Sequence, residues 1–266
     1  MLNLKHALEF SASRGVIILM ILPFLIPFVK WHTLTVPVVL LMYFTSVLLS
    51  AAELFRNKAV RHLDITESAP LMNLSPIFLL IIAYFLLNER ISLLQLTGIF
   101  FSLIGLYVIE LDPKSKSLFS PLKNLLSSVH IHHMIFALVI LSFMQAMDRF
   151  ILSNILDPLS YLVLLLFFAS INLSLLEIYK YGFAELKKDV VENFWTFGLL
   201  SILFLFMAIF HLIAVSLQNV SLVIPIKRIS SLFIALFGGS FFHEEGIKVK
   251  LLGGFITLIG VFLIVI

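Results

Sequence analysis

The sequence predicts an all-α polytopic membrane protein of about nine transmembrane helices, set out as two repeats of inverted topology. Three observations carry this expectation. The first is composition. Hydrophobic residues make up 61% of the 266 positions and charged residues 12%, whereas a soluble domain carries about 25% charge. The mean hydropathy is +1.12, and a soluble core of this size cannot bury that much apolar surface. The second is pattern. The apolar runs continue for about 20 residues, the length a helix needs to cross a bilayer, while barrel strands alternate over about 10. The third is repetition. Shifted by 155 positions without a gap, the stretch Ala59 to Leu111 lies on Ala214 to Ile266. Apolar identities say little in such a chain. The matched Pro70/Pro225, Ser75/Ser230, Glu89/Glu244, Gly98/Gly253 and Gly105/Gly260 are harder to meet by chance.

In chain order the spans fall at roughly 10–29, 33–55, 66–87, 92–110, 132–153, 158–178, 193–213, 219–242 and 249–266. Pro70 and Pro225 stand near the start of the third and eighth. There they are expected to bend or loosen the helix, which neighbouring groups or a cavity tolerate. Gly98 and Gly105 in the fourth, and Gly253 and Gly260 in the ninth, recur every seven residues and so share one helix face. Small residues let membrane helices approach closely, so these four are expected to pack. Two connections are long. Asp112 to His133 is polar, carries Pro113 and Pro121, and reads as the seam between halves. The expected domains are therefore residues 1–111 with four helices, a connecting loop over 112–131, and residues 132–266 with five helices. The second long connection, Tyr179 to Asn193, reads as a short amphipathic helix on the membrane surface.

The copies are five spans apart. An odd shift means that matching helices enter the membrane from opposite faces, as in the inverted repeats of secondary transporters. The second span pairs with the seventh and the first with the sixth, so the fifth has no mate. A symmetric plan of ten helices is expected to have one more span before the first. No small-residue cleavage site follows the first apolar run, so no cleavable signal peptide is expected. With nine spans, 13 lysines and arginines fall on the N-terminal side and three (Lys30, Arg90 and Arg149) on the other. The positive-inside rule then places the N-terminal side in the cytoplasm and the C-terminus outside.

The first copy, SPIFLLIIAYFLLNERISLLQLTGIFFSLIGLYVI, resembles the end of an EamA-type module of the drug/metabolite transporter superfamily. The features are Ser75-Pro76, an apolar helix, a Glu89-Arg90 turn, and Gly98 and Gly105 spaced by seven. The second copy resembles the C-terminal module through Pro225, Lys227-Arg228, Glu244, Gly253 and Gly260. Arg14, in FSASRGVII, resembles the arginine that opens the second helix of a full family member. The resemblance implies ten helices in two inverted bundles around a central cavity, with small metabolites or drugs as cargo. It also implies a missing first helix here, and both termini of a full member in the cytoplasm, the reverse of the orientation that the lysine count gives.

Charge at depth ranks the candidate residues, because a charge in the hydrocarbon centre costs at least about 2.5–3.5 kcal/mol and is kept where it faces a cavity or a partner. Arg228 lies nine residues into the eighth span, roughly 13 Å deep at 1.5 Å per residue, and Lys227 is one residue shallower. Either they meet an anionic group of a substrate, or they pair with a helix carboxylate or snorkel along a broken helix near Pro225. Asn73 is the symmetry mate of Arg228. Glu67, Asp148, Arg149, His211 and Glu53 lie nearer helix ends. They are candidates for relay or gating, against the plainer role of charges that reach the interface; Asp148 and Arg149 also read as a local end-of-helix pair. Glu89 and Glu244 are expected to tie their own turns, Glu89 beside Arg90.

There are no cysteines, which excludes disulfides and thiol chemistry. His130, His132 and His133 form the one metal-like cluster, and without an acidic ligand nearby in sequence they read as a loop-end group. No nucleotide-binding loop and no hydrolase triad spacing occurs, so no enzyme activity, no cofactor and no resident metal are expected. The expected partners are the lipid bilayer, a small-molecule substrate with an anionic group, and protons as a coupling ion. A second copy of the chain, or a partner helix in the place of the missing first one, completes the set. No nucleic acid is expected. The alternative to secondary transport across the plasma membrane is a non-transporting accessory or lipid-handling subunit on the same fold.

Overall fold

The computed structural model describes residues 8–63, 71–109, 129–227, 229–230 and 247–265. Among these residues the chain is helical and carries no strand. The helices are α1 (Glu9–Ile21), α2 (Val36–Val60), α3 (Ser75–Leu87), α4 (Leu93–Ile109), α5 (Val129–Asn154), α6 (Pro158–Tyr181), α7 (Phe183–Glu192), α8 (Phe194–Leu217), α9 (Val220–Lys227) and α10 (Ile247–Val265). By length and composition α2, α5, α6 and α8 are able to cross a membrane, while Ser75–Leu87, Leu93–Val108 and Leu251–Ile264 are shorter apolar helices. The chain is thus a helical membrane protein.

The first span departs from a continuous helix over 10–29. The α-helix stops at Ile21, and tight 3₁₀ turns follow at Leu22–Phe24, Ile26–Phe28 and Trp31–Thr33. Pro23 and Pro27 are the cause. Each lacks an N–H, and its ring clashes with the carbonyl four residues earlier, so the α-ladder cannot continue through them. The second long connection does form a helix, α7. Its apolar side chains Leu186 and Val190 join a protein core with Ala12, Ile17 and Phe197. That face is packed on protein rather than laid into the bilayer, because α1 and α8 present apolar surface within its reach.

The chain folds as two compact units, Met1–Lys58 with Met147–Leu217, and Ala59–Ala146 with Gln218–Ile266. Each takes residues from both halves of the sequence. In the first, α1 packs against α6, α7 and α8. Helix α6 starts with Pro158 at its first position and Asp157 as its cap, the Asp157 carboxylate accepting from the Ser160 N–H at 3.3 Å. Proline suits that position because the first N–H of a helix has no partner within it.

In the second unit, α4 and α10 make the principal helix pair and α3 packs on α9. Asn88 ends α3 in the left-handed conformation, φ 53°, and the Glu89 N–H reaches back to the Ala83 carbonyl at 3.3 Å. Asparagine tolerates that backbone, and the returning bond satisfies a carbonyl that the helix end would orphan. Helix α4 opens with a reciprocal cap. Ser92 Oγ accepts from the Gln95 N–H and Gln95 Oε1 accepts from the Ser92 N–H, both at 3.2 Å, the S-x-x-Q pattern.

The four repeated glycines meet at the α4–α10 crossing. A methyl group on Gly98 would stand 2.6 Å from the Gly260 carbonyl oxygen, and one on Gly105 would stand 2.5 Å from the Gly253 carbonyl oxygen. Gly98 and Gly253 are mates under the 155-residue shift, as are Gly105 and Gly260. Each glycine therefore touches the mate of the other. That is the contact pattern of a two-fold axis, by the logic that governs self-complementary interfaces.

Candidate functional site

A buried ion pair in the first unit joins α1 to α2. Arg14 Nη2 donates to Glu53 Oε1 at 2.8 Å, and Arg56 stands 3.7 Å from the same oxygen. Glu53 is buried and the Arg14 side chain is only 13% exposed, so the pair lies out of water. The Phe204 ring of α8 covers the Arg14 guanidinium at 4.3 Å, with Phe10 on another side at 5.5 Å. An aromatic face attracts a cation where water is absent. Beside the pair, Asn57 Nδ2 donates to Ser11 Oγ at 2.8 Å.

A cleft of about 20 Å³ opens among Ser11, Arg14, Gly15, Glu53, Ser170 and Phe204, room for about one water molecule. Glu53 Oε2 and Arg14 Nε are buried, and neither has a hydrogen-bond partner among the described residues. Arg14 and Glu53 are the charged residues lining the cleft and balance each other, while Arg56 approaches Glu53 from outside the lining. Gly15 permits the assembly, since a Cβ there would already stand 3.3 Å from Ser170.

Of the residues picked out by depth, Asp148, Arg149 and His211 fall in the first unit, and Lys227 and Asn73 in the second. Arg228, Glu67 and Glu244 lie outside the described residues. Asp148 is buried and accepts from the Tyr161 hydroxyl of α6. Arg149 donates to the carbonyls of Val215 and Ser216 at 2.7 and 2.8 Å, closing the last turn of α8 where a cation complements the helix dipole. The two neighbours thus reach different helices, although the sequence also reads them as one local pair. His211 is half-buried on α8 and Lys227 half-buried at the end of α9. Asn73 is buried in the turn before α3, and its Nδ2 has no partner among the described residues.

Glu89 does not tie its own turn to Arg90. Its Oε1 accepts from the Val220 N–H at 3.1 Å, and its Oε2 accepts from the Ser221 N–H at 3.3 Å and from the Ser221 hydroxyl. It therefore caps α9 from 131 residues away in sequence, where an acidic group satisfies orphan N–H donors and complements the dipole. His130 and His133 stand in the first turns of α5 rather than in a loop. The His130 ring stacks on His62 at 4.3 Å, and no metal-holding group of His, Cys, Asp and Glu occurs among the described residues.

The Arg14–Glu53 pairing escapes a reading by depth alone, because its members are 39 residues apart. A usable signal does exist. Two ionisable residues of opposite sign in neighbouring apolar spans are expected to seek each other in hydrocarbon.

A helical membrane protein with a buried ion pair is the class that fold and site define. Residues 2–111 match the model of the EamA-like transporter family. Over that stretch the match bears out the resemblance drawn from the first copy of the repeat. The matched stretch contains Arg14, Glu53, Glu89, Gly98 and Gly105. No curated protein matches the chain.

Proposed function

We propose that the protein is a secondary transporter of small metabolites or drugs across the plasma membrane, working by alternating access of two inverted repeats. The match of residues 2–111 to the EamA-like transporter family is the observation that carries this reading. The four-glycine contact between α4 and α10 supports a two-fold relation of the repeats. The substrate site in this reading takes Lys227 and Arg228 as anchors for an anionic group, with Asn73 as the symmetry mate of Arg228.

Exchange in proteoliposomes across a broad metabolite panel tests the proposal. The full chain is expected to exchange at least one compound that protein-free vesicles do not. Arg228→Ala is expected to lower that exchange by about tenfold or more, the loss of one charge-assisted hydrogen bond, with partial recovery in Arg228→Lys. A panel that stays flat with protein shown to be folded overturns transport. Full activity in Arg228→Ala overturns the anchor.

A further inference from the structure

The Glu89-Arg90 turn divides its two charges. Glu89 is turned inward, with both carboxylate oxygens engaged by the start of α9. Arg90 is exposed, and no hydrogen bond or ion pair holds it among the described residues. It stands at the rim of an open cleft of about 650 Å³ lined by Leu80, Ile81, Tyr84, Phe85, Ile91 and Leu96, with Glu89 at its floor.

The lining follows helix geometry. Leu80 and Tyr84 lie one turn apart on α3, as do Ile81 and Phe85, so the apolar stripe runs along the helix toward Arg90. Phe85 is 77% and Tyr84 58% exposed. A tyrosine so uncovered at the end of a membrane helix belongs at the headgroup boundary, with Phe85 beside it on the apolar side. The cation is not a demand of the turn itself. Under the 155-residue shift Glu89 matches Glu244, but Arg90 matches Glu245.

We propose that this cleft is a binding site for an anionic phospholipid, its phosphodiester on Arg90 and an acyl chain along Leu80, Ile81 and Phe85. The guanidinium fork matches two phosphate oxygens in one plane. The same fork adds charge-assisted hydrogen bonds, which a neutral donor at this helix end would not supply. A lipid, rather than a soluble phosphate, is favoured because every neighbour of Arg90 in the lining except Glu89 and the Tyr84 hydroxyl is apolar. A zwitterionic headgroup offers the same phosphate but carries an ammonium that opposes the attraction.

The test is lipid retention by the purified full-length protein in detergent, read by native mass spectrometry. Phosphatidylglycerol and phosphatidylcholine of equal chain length are offered together, to wild type, Arg90→Gln and Arg90→Lys. Wild type is expected to keep phosphatidylglycerol over phosphatidylcholine by about fivefold, the effect of one arginine at the membrane surface. Arg90→Gln is expected to bring that ratio to one, and Arg90→Lys to hold part of it. Soluble glycerol 3-phosphate at the same concentration is expected not to compete. Equal retention of the two lipids by wild type overturns the proposal, as does an unchanged preference in Arg90→Gln. Displacement by glycerol 3-phosphate overturns it in favour of a soluble phosphate site. The wild-type ratio and the competition need no variant, so a folding defect in a variant does not blunt the test.

Discussion

Arg14 and Glu53 show what a single residue does when water is absent. Neither charge is stable alone in an apolar bundle, and each supplies the other's partner at 2.8 Å. Removing one member leaves the other buried and uncompensated, which in proteins costs about 3–5 kcal/mol, whereas removing both together costs far less. Arg14→Ala is therefore expected to lower the thermal midpoint strongly, and Arg14→Leu with Glu53→Leu to recover most of the loss. The measurement is thermal unfolding of the two single variants and the double variant in one detergent. A double variant as unstable as the sum of the singles would show that the two residues act independently. The arginine is prominent in the sequence, through its resemblance to a family position. Its partner is marked in the sequence only by an opposite charge in the neighbouring apolar span, because no local pattern links residues on different helices.

Helices are joined here by contacts that lie far apart in the chain. Glu89 caps α9, and glycines of α4 and α10 let backbone touch backbone. Glu89→Ala removes the acceptor for two N–H groups at the start of α9, and loss of such a cap costs about 1–2 kcal/mol. Gly105→Ala sets a methyl group 2.5 Å from the Gly253 carbonyl oxygen, a contact that backbone on both sides cannot relieve without parting the helices. Both variants are expected to lower the unfolding midpoint, and Gly105→Leu more than Gly105→Ala. A neutral Gly105→Leu would mean that α4 and α10 are not closely packed in the membrane. That these glycines share a face follows from their spacing of seven. That the face of α4 meets that of α10 does not, since spacing says where a stripe lies and not what covers it. The same limit holds for α7. Its two-sidedness is plain in FAELKKDVVE, but only packing shows that Leu186 and Val190 face protein.

At the scale of the whole molecule, orientation is the property that the charge distribution argues most directly. By the positive-inside rule the lysine and arginine imbalance predicts Lys188 in the cytoplasm and Lys30 outside. Both side chains are more than half exposed, at 54% and 58%, and the chain has no cysteine to interfere. A membrane-impermeant maleimide added to intact cells is therefore expected to label Lys30→Cys and to spare Lys188→Cys until the cells are opened. The reverse result would align the chain with the topology that the family resemblance implies.

Composition and the continuous apolar runs decide by themselves that this is a helical membrane protein, because a bilayer demands long apolar helices whose backbone bonds are closed within themselves. The repeat marks the paired glycines and glutamates, because an alignment of the chain with itself needs no third dimension. Only the tertiary structure decides partners. Which carboxylate meets Arg14, which helix Glu89 caps, and which cations stay uncommitted are set by approach between segments up to 132 residues apart. Those approaches depend on the summed packing of whole helices, and no local stretch of sequence encodes that sum.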